Sequence, residues 1–194
     1  MPSLGKFQES LITFNVDEKI VSQINEGFGK VDSKTPKKER ALYFKRAVDI
    51  MDENMESDKF QEVFEWNACC KGGAREKASK AFAKKSEHLS LEEKLELIKD
   101  VPYMGRPVRN EDGTITVHAV YYSEGEKFLC ACSNFNGVKR DYSVSKKYCF
   151  CCAGHFKYHY EIMLGVKLQT LEVVSSPLDS EGKNPCIIKY GIIG

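Results

Sequence analysis

The chain has 194 residues, a formal net charge of +1 at pH 7 and 42% hydrophobic residues. This length suits one domain with a sizeable core, and the balanced charge excludes a global field that would attract nucleic acid or a membrane surface. No apolar run has the length of a signal peptide or a transmembrane helix, so we expect a cytoplasmic protein. In a reducing compartment the eight cysteines are expected to be metal ligands, catalytic thiols or core residues, whereas export would favour disulfides.

The first half of the chain carries the signals of α-helices. Five helix starts are predicted where a polar cap, a proline or a glycine break precedes residues at helical spacing. They lie at Asn15, Thr35-Pro36, Ser57, Ala74, and Ser90 with its capping-box partner Glu93. The third of these helices is expected to run to Cys70, and Gly72 and Gly73 follow it as helix-ending residues.

The pattern changes to alternation after residue 100. Residues 114–121 alternate between apolar and polar side chains, which predicts a strand. Further strands are predicted at 128–132, 166–174 and 186–193, and a helix over 149–164. Helices followed by an antiparallel sheet with one inserted helix form an α+β layout. We expect a single domain with a helical half, residues 1–100, and a sheet half, residues 101–194.

Five of the eight cysteines lie between residues 130 and 165. Cys130 and Cys132 form a C-x-C at the end of a predicted strand, and Cys149 and Cys152 form a C-x-x-C at the start of a helix. This spacing can bring four thiolates to one zinc ion, which binds four such ligands in a tetrahedron at about 2.3 Å. The alternative is that these cysteines are small buried side chains without a metal.

His155 lies one helical turn after Cys151 and Cys152. It could bind a metal, hydrogen-bond a ligand, or act as a base beside a thiol. The alternative is a histidine that is satisfied by a backbone carbonyl group. For His159, one turn further on, the structural role is the favoured interpretation.

A second group of interest is the segment Cys69-Cys70-Lys71-Gly72-Gly73-Ala74-Arg75. Its glycines allow backbone N–H groups to approach an anion, and Arg75 could bind a carboxylate. The alternative is a helix end with two buried cysteines. Because adjacent side chains point in different directions, at most one of Cys69 and Cys70 is expected to line a pocket.

A series of cysteine, glycine and glutamate positions runs through the C-terminal part of the chain. It consists of Cys149, Ala153-Gly154, Leu164-Gly165, Glu172, Gly182 and Cys186-Ile187-Ile188. This order resembles the 4-vinyl-reductase-like, or hydrocarbon-binding, domain, which includes aromatic-effector sensor domains. The resemblance implies a fold of the hydrocarbon-binding and nitric-oxide-signalling type. It also implies a zinc site, in which Cys149, Glu172 and Cys186 match family ligands. Ser175 stands where the fourth ligand is expected, so another cysteine would have to replace it.

The same helix–strand–hairpin end is similar to the L-2-amino-thiazoline-4-carboxylic acid hydrolase-like proteins. That resemblance implies an enzyme. In a hydrolase of this kind we expect Cys152 or Cys70 to be the nucleophile and His155 to be its base, with Arg75 holding a substrate carboxylate.

Three hypotheses follow. The first is a sensor-like domain that binds a small apolar or aromatic molecule. Its pocket would include Cys70, Arg75, His155, Trp66, Tyr121 and Phe156. Its structural zinc site would use Cys149, Cys152, Glu172 and Cys186, with Cys130 and Cys132 in reserve. The second hypothesis is the hydrolase, and the third is an interaction module that forms a homodimer. No DNA-binding motif is present, so a sensor would need a separate output partner.

Overall fold

The computed structural model describes residues 3–119 and 122–193. Within these ranges the chain has the predicted α+β layout, with six helices first and a seventh inserted before the last two strands. The helices are α1 (Leu4–Thr13), α2 (Glu18–Asn25), α3 (Lys37–Asn54), α4 (Ser57–Trp66), α5 (Gly73–Lys85), α6 (Leu91–Ile98) and α7 (Phe150–Leu164). None of the helices in the described ranges is both long and apolar enough to cross a lipid bilayer.

The strands form two antiparallel groups. They are β1 (Arg106–Arg109), β2 (Ile115–His118), β3 (Tyr122–Glu124), β4 (Lys127–Leu129), β5 (Lys167–Ser175) and β6 (Ile187–Ile193). The main sheet has the order β1-β2-β6-β5, so the last strand lies between β2 and β5. The strands β3 and β4 form a separate hairpin. The Phe128 N–H of β4 donates to the carbonyl group of Gly182, in the loop between β5 and β6, at 2.8 Å.

Helix starts follow local capping chemistry. The capping box before α6 is present as predicted, because the Ser90 hydroxyl and the Glu93 carboxylate each accept from the other residue's N–H. The helix α2 begins later than predicted, because Asp17 caps it and Asn15 takes a left-handed conformation with φ of 47°. The helix α1 was not predicted, and the Ser3 hydroxyl caps it.

One hydrophobic core runs through both halves of the chain. The fully buried ring of Tyr148, just before α7, packs edge-on against Phe44 and Phe64 from the helical half. It also packs edge-on against Phe135 from the loop that follows β4. Each such pair adds roughly 0.5–1.5 kcal/mol beyond the burial of its area. This core fixes α7 between the early helices and the sheet.

The helix α7 crosses the end of α4 at a glycine. A Cβ atom on Gly154 would lie 2.6 Å from the carbonyl oxygen and 2.9 Å from the Cα atom of Glu65. Only a residue without a side chain permits this approach. The contact brings the turn that follows α4, which contains Cys69 and Cys70, next to α7.

The strand β5 contains a β-bulge that decides which side chains face inward. Thr170 pairs with Tyr190 and the next pair is Glu172 with Lys189, which leaves Leu171 as an extra residue. An extra residue reverses the alternation of faces along the rest of a strand. Glu172 is therefore exposed, where an uninterrupted strand would turn it toward the interior.

Candidate functional site: a cavity lined by thiols

Sulfur atoms converge on one cavity of about 280 Å³. Its walls come from the turn after α4, the start of α5, the first turns of α7, the segment after β4 and the strands β5 and β6. Seven of the eight cysteines line it, and all eight are free thiols. The seven are Cys69, Cys70, Cys130, Cys132, Cys149, Cys152 and Cys186. The eighth, Cys151, is a fully buried residue of α7 and is not part of the cavity lining.

The structure does not gather the predicted zinc ligands into one coordination group. The Cys149 thiol donates to the Ser176 hydroxyl at 3.2 Å. Glu172 is turned outward by the β-bulge and forms an ion pair with Lys146 at 3.0 Å, away from the cavity. In the described ranges, one group of three or more metal-ligating side chains has its ligand atoms within 4.8 Å of one another. That group is Cys69, Cys70 and His155, and it could hold a metal ion.

The centre of this group is the contact between Cys69 and His155. The Nδ1 atom of His155 lies 3.0 Å from the Cys69 carbonyl oxygen and 3.7 Å from the Cys69 sulfur. The Cys70 thiol donates to the Cys69 sulfur at 3.4 Å. On the other side of the ring, Nε2 of His155 lies 3.4 Å from a guanidinium nitrogen of Arg75. Two thiols, an imidazole and a guanidinium group therefore share one wall of the cavity.

The partners of His155 determine which nitrogen carries its proton. An arginine side chain has only donors, so the Nε2 atom that faces Arg75 is the acceptor. The proton therefore lies on Nδ1, which donates to the Cys69 carbonyl group with the Cys69 sulfur beside it. His155 is thus oriented to stabilise negative charge on the Cys69 sulfur.

This environment gives Cys69 an acidic thiol. Burial raises its pKa, but the hydrogen bond from His155 and the electrostatic interaction with that residue together outweigh burial. The pKa of the Cys69 thiol falls to about 5. Burial and the neighbouring Cys69 raise the pKa of the Cys70 thiol. Cys69 is therefore a thiolate at neutral pH, and Cys70 is the protonated donor beside it.

The other thiols of the cavity are mostly protonated. Burial raises the pKa of Cys130 and Cys149, and it raises the pKa of Cys132 to about 11 and that of Cys186 to about 12. Cys152 differs, because a hydrogen bond from Cys151 outweighs burial and lowers its pKa to about 7. Negative charge is therefore expected chiefly on the wall that carries Cys69.

Four of the six residues predicted to bind a ligand line this cavity. They are Cys70, Arg75, His155 and Phe156. Trp66 does not, because it is the last residue of α4 and its ring lies under the Lys6 ammonium group in a separate surface groove. Tyr121 lies outside the described residues.

Cys69 is the residue that sequence reasoning missed. The nucleophile was predicted to be Cys152 or Cys70, with at most one of the adjacent pair in a pocket. Both line the cavity, because Cys70 has a left-handed backbone with φ of 65° that turns the two side chains toward the same space. His155 makes its closest thiol contact with Cys69 rather than with either predicted partner.

Hydrogen bonds to three helices hold the turn that carries Cys69 and Cys70. The buried amide of Asn67 donates to the Ser10 hydroxyl of α1 at 2.8 Å. The carboxylate of Glu76 in α5 accepts from the Gly72 N–H and from the Tyr158 hydroxyl of α7, both at 2.6 Å. The turn is therefore tied to the same elements that position Arg75 and His155.

His159 is linked to the site through Ser79 and the backbone of Arg75. Its Nδ1 atom is 2.9 Å from the Ser79 hydroxyl, which in turn donates to the Arg75 carbonyl group at 3.0 Å. Burial, followed by the charges of His155 and Arg75, lowers the pKa of His159 to about 4. The ring is therefore neutral at physiological pH and links α7 to α5 as a structural group.

Comparison of the chain with protein-family models, with curated proteins and with solved structures gives no match. The resemblances drawn from the C-terminal motifs therefore stay predictions. Function has to be argued from the geometry of the thiol-lined cavity.

Proposed function

We propose that the cavity binds a small organic anion and that Cys69 attacks an electrophilic carbon of this ligand. The protein would then be a cysteine-dependent hydrolase. The observation that carries this proposal is the arrangement of the Cys69 sulfur, the His155 imidazole and the Arg75 guanidinium group on one wall of the cavity. A thiolate, a hydrogen-bond donor and an anion-binding cation are the parts that such chemistry needs.

The position of Arg75 favours an anionic ligand. Its guanidinium group lines the cavity and packs over the Tyr103 ring at 4.9 Å, and within the described ranges it has no carboxylate partner. None of the described residues that line the cavity is Asp or Glu. One guanidinium nitrogen faces His155, and a carboxylate on the ligand could take the remaining N–H donors of Arg75 without competition from an acidic residue of the described lining.

The remaining wall favours a compact apolar body on the same ligand. Phe156, Val173 and Ile188 line the same cavity, together with the protonated thiols. A volume of about 280 Å³ limits the occupant to a small molecule. The expected ligand therefore joins a carboxylate to a small ring or branched group.

The proposed reaction has two covalent steps. The Cys69 thiolate forms a bond to a carbon that is attached to nitrogen, the C–N bond breaks, and the leaving nitrogen takes a proton from a water molecule. The hydroxide that remains attacks the carbon, and the C–S bond breaks to return the thiolate, which the Nδ1–H group of His155 stabilises. The similarity to L-2-amino-thiazoline-4-carboxylic acid hydrolase-like proteins supports this reaction class, with Cys69 in place of Cys152 or Cys70.

The anion-binding role of Arg75 can be tested with two alkylating agents of similar size. Iodoacetate carries a carboxylate and iodoacetamide does not. We expect Arg75→Gln to lower the rate ratio of iodoacetate to iodoacetamide at Cys69 by about tenfold, since a charge-assisted hydrogen bond contributes 1.5–3 kcal/mol. Tandem mass spectrometry of the tryptic peptide 60–71 shows which of its two cysteines is alkylated and how fast.

Arg75→Lys is the matched control, because it keeps the positive charge but loses the planar fork of donors. Its rate ratio should fall between those of the wild type and Arg75→Gln. An unchanged rate ratio in Arg75→Gln would show that Arg75 does not bind the anion. Slow alkylation of Cys69 in the wild type by both reagents would show that Cys69 is not the nucleophile.

A zinc site is the second candidate, and it is favoured by the short distances within the Cys69, Cys70 and His155 group. Two cysteines and one histidine would leave the fourth position of a zinc tetrahedron open for a ligand. The orientation of His155 opposes this, because Nδ1 donates to a carbonyl group and Nε2 faces a guanidinium cation. An ion bound through Nδ1 would displace the carbonyl contact, and an ion bound through Nε2 would displace Arg75.

Zinc content separates the two candidates. For the hydrolase we expect less than about half an equivalent of zinc in protein that is purified without chelator, and no change in Cys69 alkylation after chelation. One full equivalent, with Cys69 protected until the metal is removed, would favour the zinc site instead.

A further inference from the structure

The proposed hydrolase gives no role to Cys70. Its thiol nevertheless donates to the Cys69 sulfur at 3.4 Å, and its side chain is exposed at the mouth of the cavity. A thiol in contact with a reactive sulfur is placed to react with any oxidised form of that sulfur. The pair therefore suggests chemistry that uses both sulfur atoms.

We propose that Cys69 and Cys70 also form a peroxidase pair, in which Cys69 reduces a small organic hydroperoxide and Cys70 resolves the oxidised sulfur as a disulfide. The proposal depends on the same thiolate as the hydrolase but on none of the substrates of that reaction. It adds a second activity that uses the cavity, Arg75 and the adjacent thiol.

The first step transfers one oxygen atom. The Cys69 thiolate attacks the terminal oxygen of the hydroperoxide, an S–O bond forms, and the O–O bond breaks with its electron pair on the leaving alkoxide. The alkoxide takes a proton from water and leaves as an alcohol. Arg75 lines the cavity and supplies N–H donors to the oxygen that gains negative charge. Cys69 is then a sulfenic acid.

The second step uses Cys70. Its thiol loses a proton, its sulfur bonds to the Cys69 sulfur, and the S–O bond breaks so that hydroxide leaves and combines with the proton as water. An external thiol reductant then donates two electrons and two protons to the disulfide and is itself oxidised to a disulfide. The pair returns to its starting state, and one hydroperoxide has become one alcohol and one water.

Local backbone geometry suits a disulfide that forms and breaks repeatedly. Adjacent Cα atoms are about 3.8 Å apart, which is below the usual separation of bridged cysteines, so a bond between neighbours is readily reduced. Cys70 already has a left-handed backbone, and Gly72 and Gly73 follow with φ of 81° and 70°. These residues give the turn the freedom to close the ring and to reopen it.

The cavity indicates which peroxides would react. Its apolar wall, which includes Phe156 and Ile188, favours an organic hydroperoxide over hydrogen peroxide. The exposed position of Cys70 allows a thiol reductant to reach the disulfide from solvent.

The test is consumption of cumene hydroperoxide by the full chain with dithiothreitol as the reductant. We expect catalytic turnover in the wild type, background rates in Cys69→Ser, and at least about a tenfold loss in Cys70→Ser. After one equivalent of peroxide without reductant, the wild-type peptide 60–71 should have lost two hydrogen atoms. In Cys70→Ser, Cys69 should instead be labelled by dimedone, which captures sulfenic acids.

Cys151→Ala is the matched control, because Cys151 is the one cysteine that does not line the cavity, and its turnover should match the wild type. Cys70→Ala provides a second variant at this exposed position. Wild-type turnover in both Cys70 variants would overturn the pair, as would a disulfide that joins Cys69 to a different peptide. Loss of alkylation at Cys69 would contradict the hydrolase proposal as well, whereas fast alkylation without peroxide turnover would contradict this inference alone.

Discussion

Replacing His155 by alanine should raise the pH of half-maximal alkylation of Cys69 from about 5 toward that of an ordinary thiol, about 8.5. The shift is upward because His155 stabilises the thiolate, and without it burial of the sulfur favours the protonated form. The wild-type sulfur is charged above about pH 5, and the variant sulfur should be neutral until the solution is alkaline.

The rates should differ most in mildly acidic solution. At pH 6 the wild-type Cys69 is mostly ionised, whereas an ordinary thiol is almost entirely protonated. A thiolate with a low pKa is also a weaker nucleophile, so the net advantage of the wild type is about tenfold rather than the full ratio of ionised fractions. Iodoacetamide kinetics between pH 4 and pH 10, read on peptide 60–71, would measure this profile.

His155→Asn is the matched control, because the asparagine amide can donate a hydrogen bond near the position of Nδ1 but cannot become charged. Its midpoint should lie between those of the wild type and His155→Ala. If His155→Ala alkylates with the wild-type pH profile, His155 does not control the Cys69 sulfur and the proposed hydrolase loses its central contact.

Gly154→Ala should destabilise the fold by about 2 kcal/mol, because the added methyl group meets the Glu65 backbone rather than a movable side chain. Alanine gains about 1 kcal/mol in helix propensity over glycine, and the steric conflict has to exceed this gain. In a domain of this size, a loss of about 2 kcal/mol lowers the thermal midpoint by roughly 4–8 °C. Thermal and urea denaturation followed by circular dichroism would measure the change.

Gly5→Ala is the matched control, and it should stabilise the fold where Gly154→Ala destabilises it. Gly5 also lies in a helix, and a Cβ atom there would have no neighbour within 4 Å among the described residues. This variant should be about 0.5–1 kcal/mol more stable than the wild type. If Gly154→Ala were equally stabilising, the close approach of α4 and α7 would be wrong.

Much of the fold could be predicted from patterns of neighbouring residues in the sequence. The capping box at Ser90 and Glu93, the alternation of residues 115–118 and the helix that begins after Cys149 depend on neighbours in the chain. The cysteine spacing predicted that sulfur atoms from the C-x-C and the C-x-x-C would meet, and the family resemblance added Cys186 before the last strand. All three contribute to one cavity. Periodicity and short motifs are sufficient for features of this kind.

The site itself depends on features that local patterns do not carry. Cys69 meets His155 across 86 residues, because Gly154 lets two helices approach closely, and no spacing rule describes that contact. The left-handed conformation of Cys70 belongs to a turn that tertiary hydrogen bonds hold in place. The outward position of Glu172 follows from an extra residue in one strand, which the sequence does not mark with a glycine or a proline.

The extra residue in β5 also keeps an acid out of the thiol-lined cavity. A slip of one residue after Thr170 would pair Leu171 with Lys189 and Glu172 with Ile188, and the Glu172 carboxylate would then lie on the inner face of the sheet. An acid among the sulfur atoms would oppose Arg75 and would suit a cation in place of an anion. One residue of strand register, far from Cys69 in the chain, therefore separates the cavity proposed for an organic anion from a candidate pocket for metal ions.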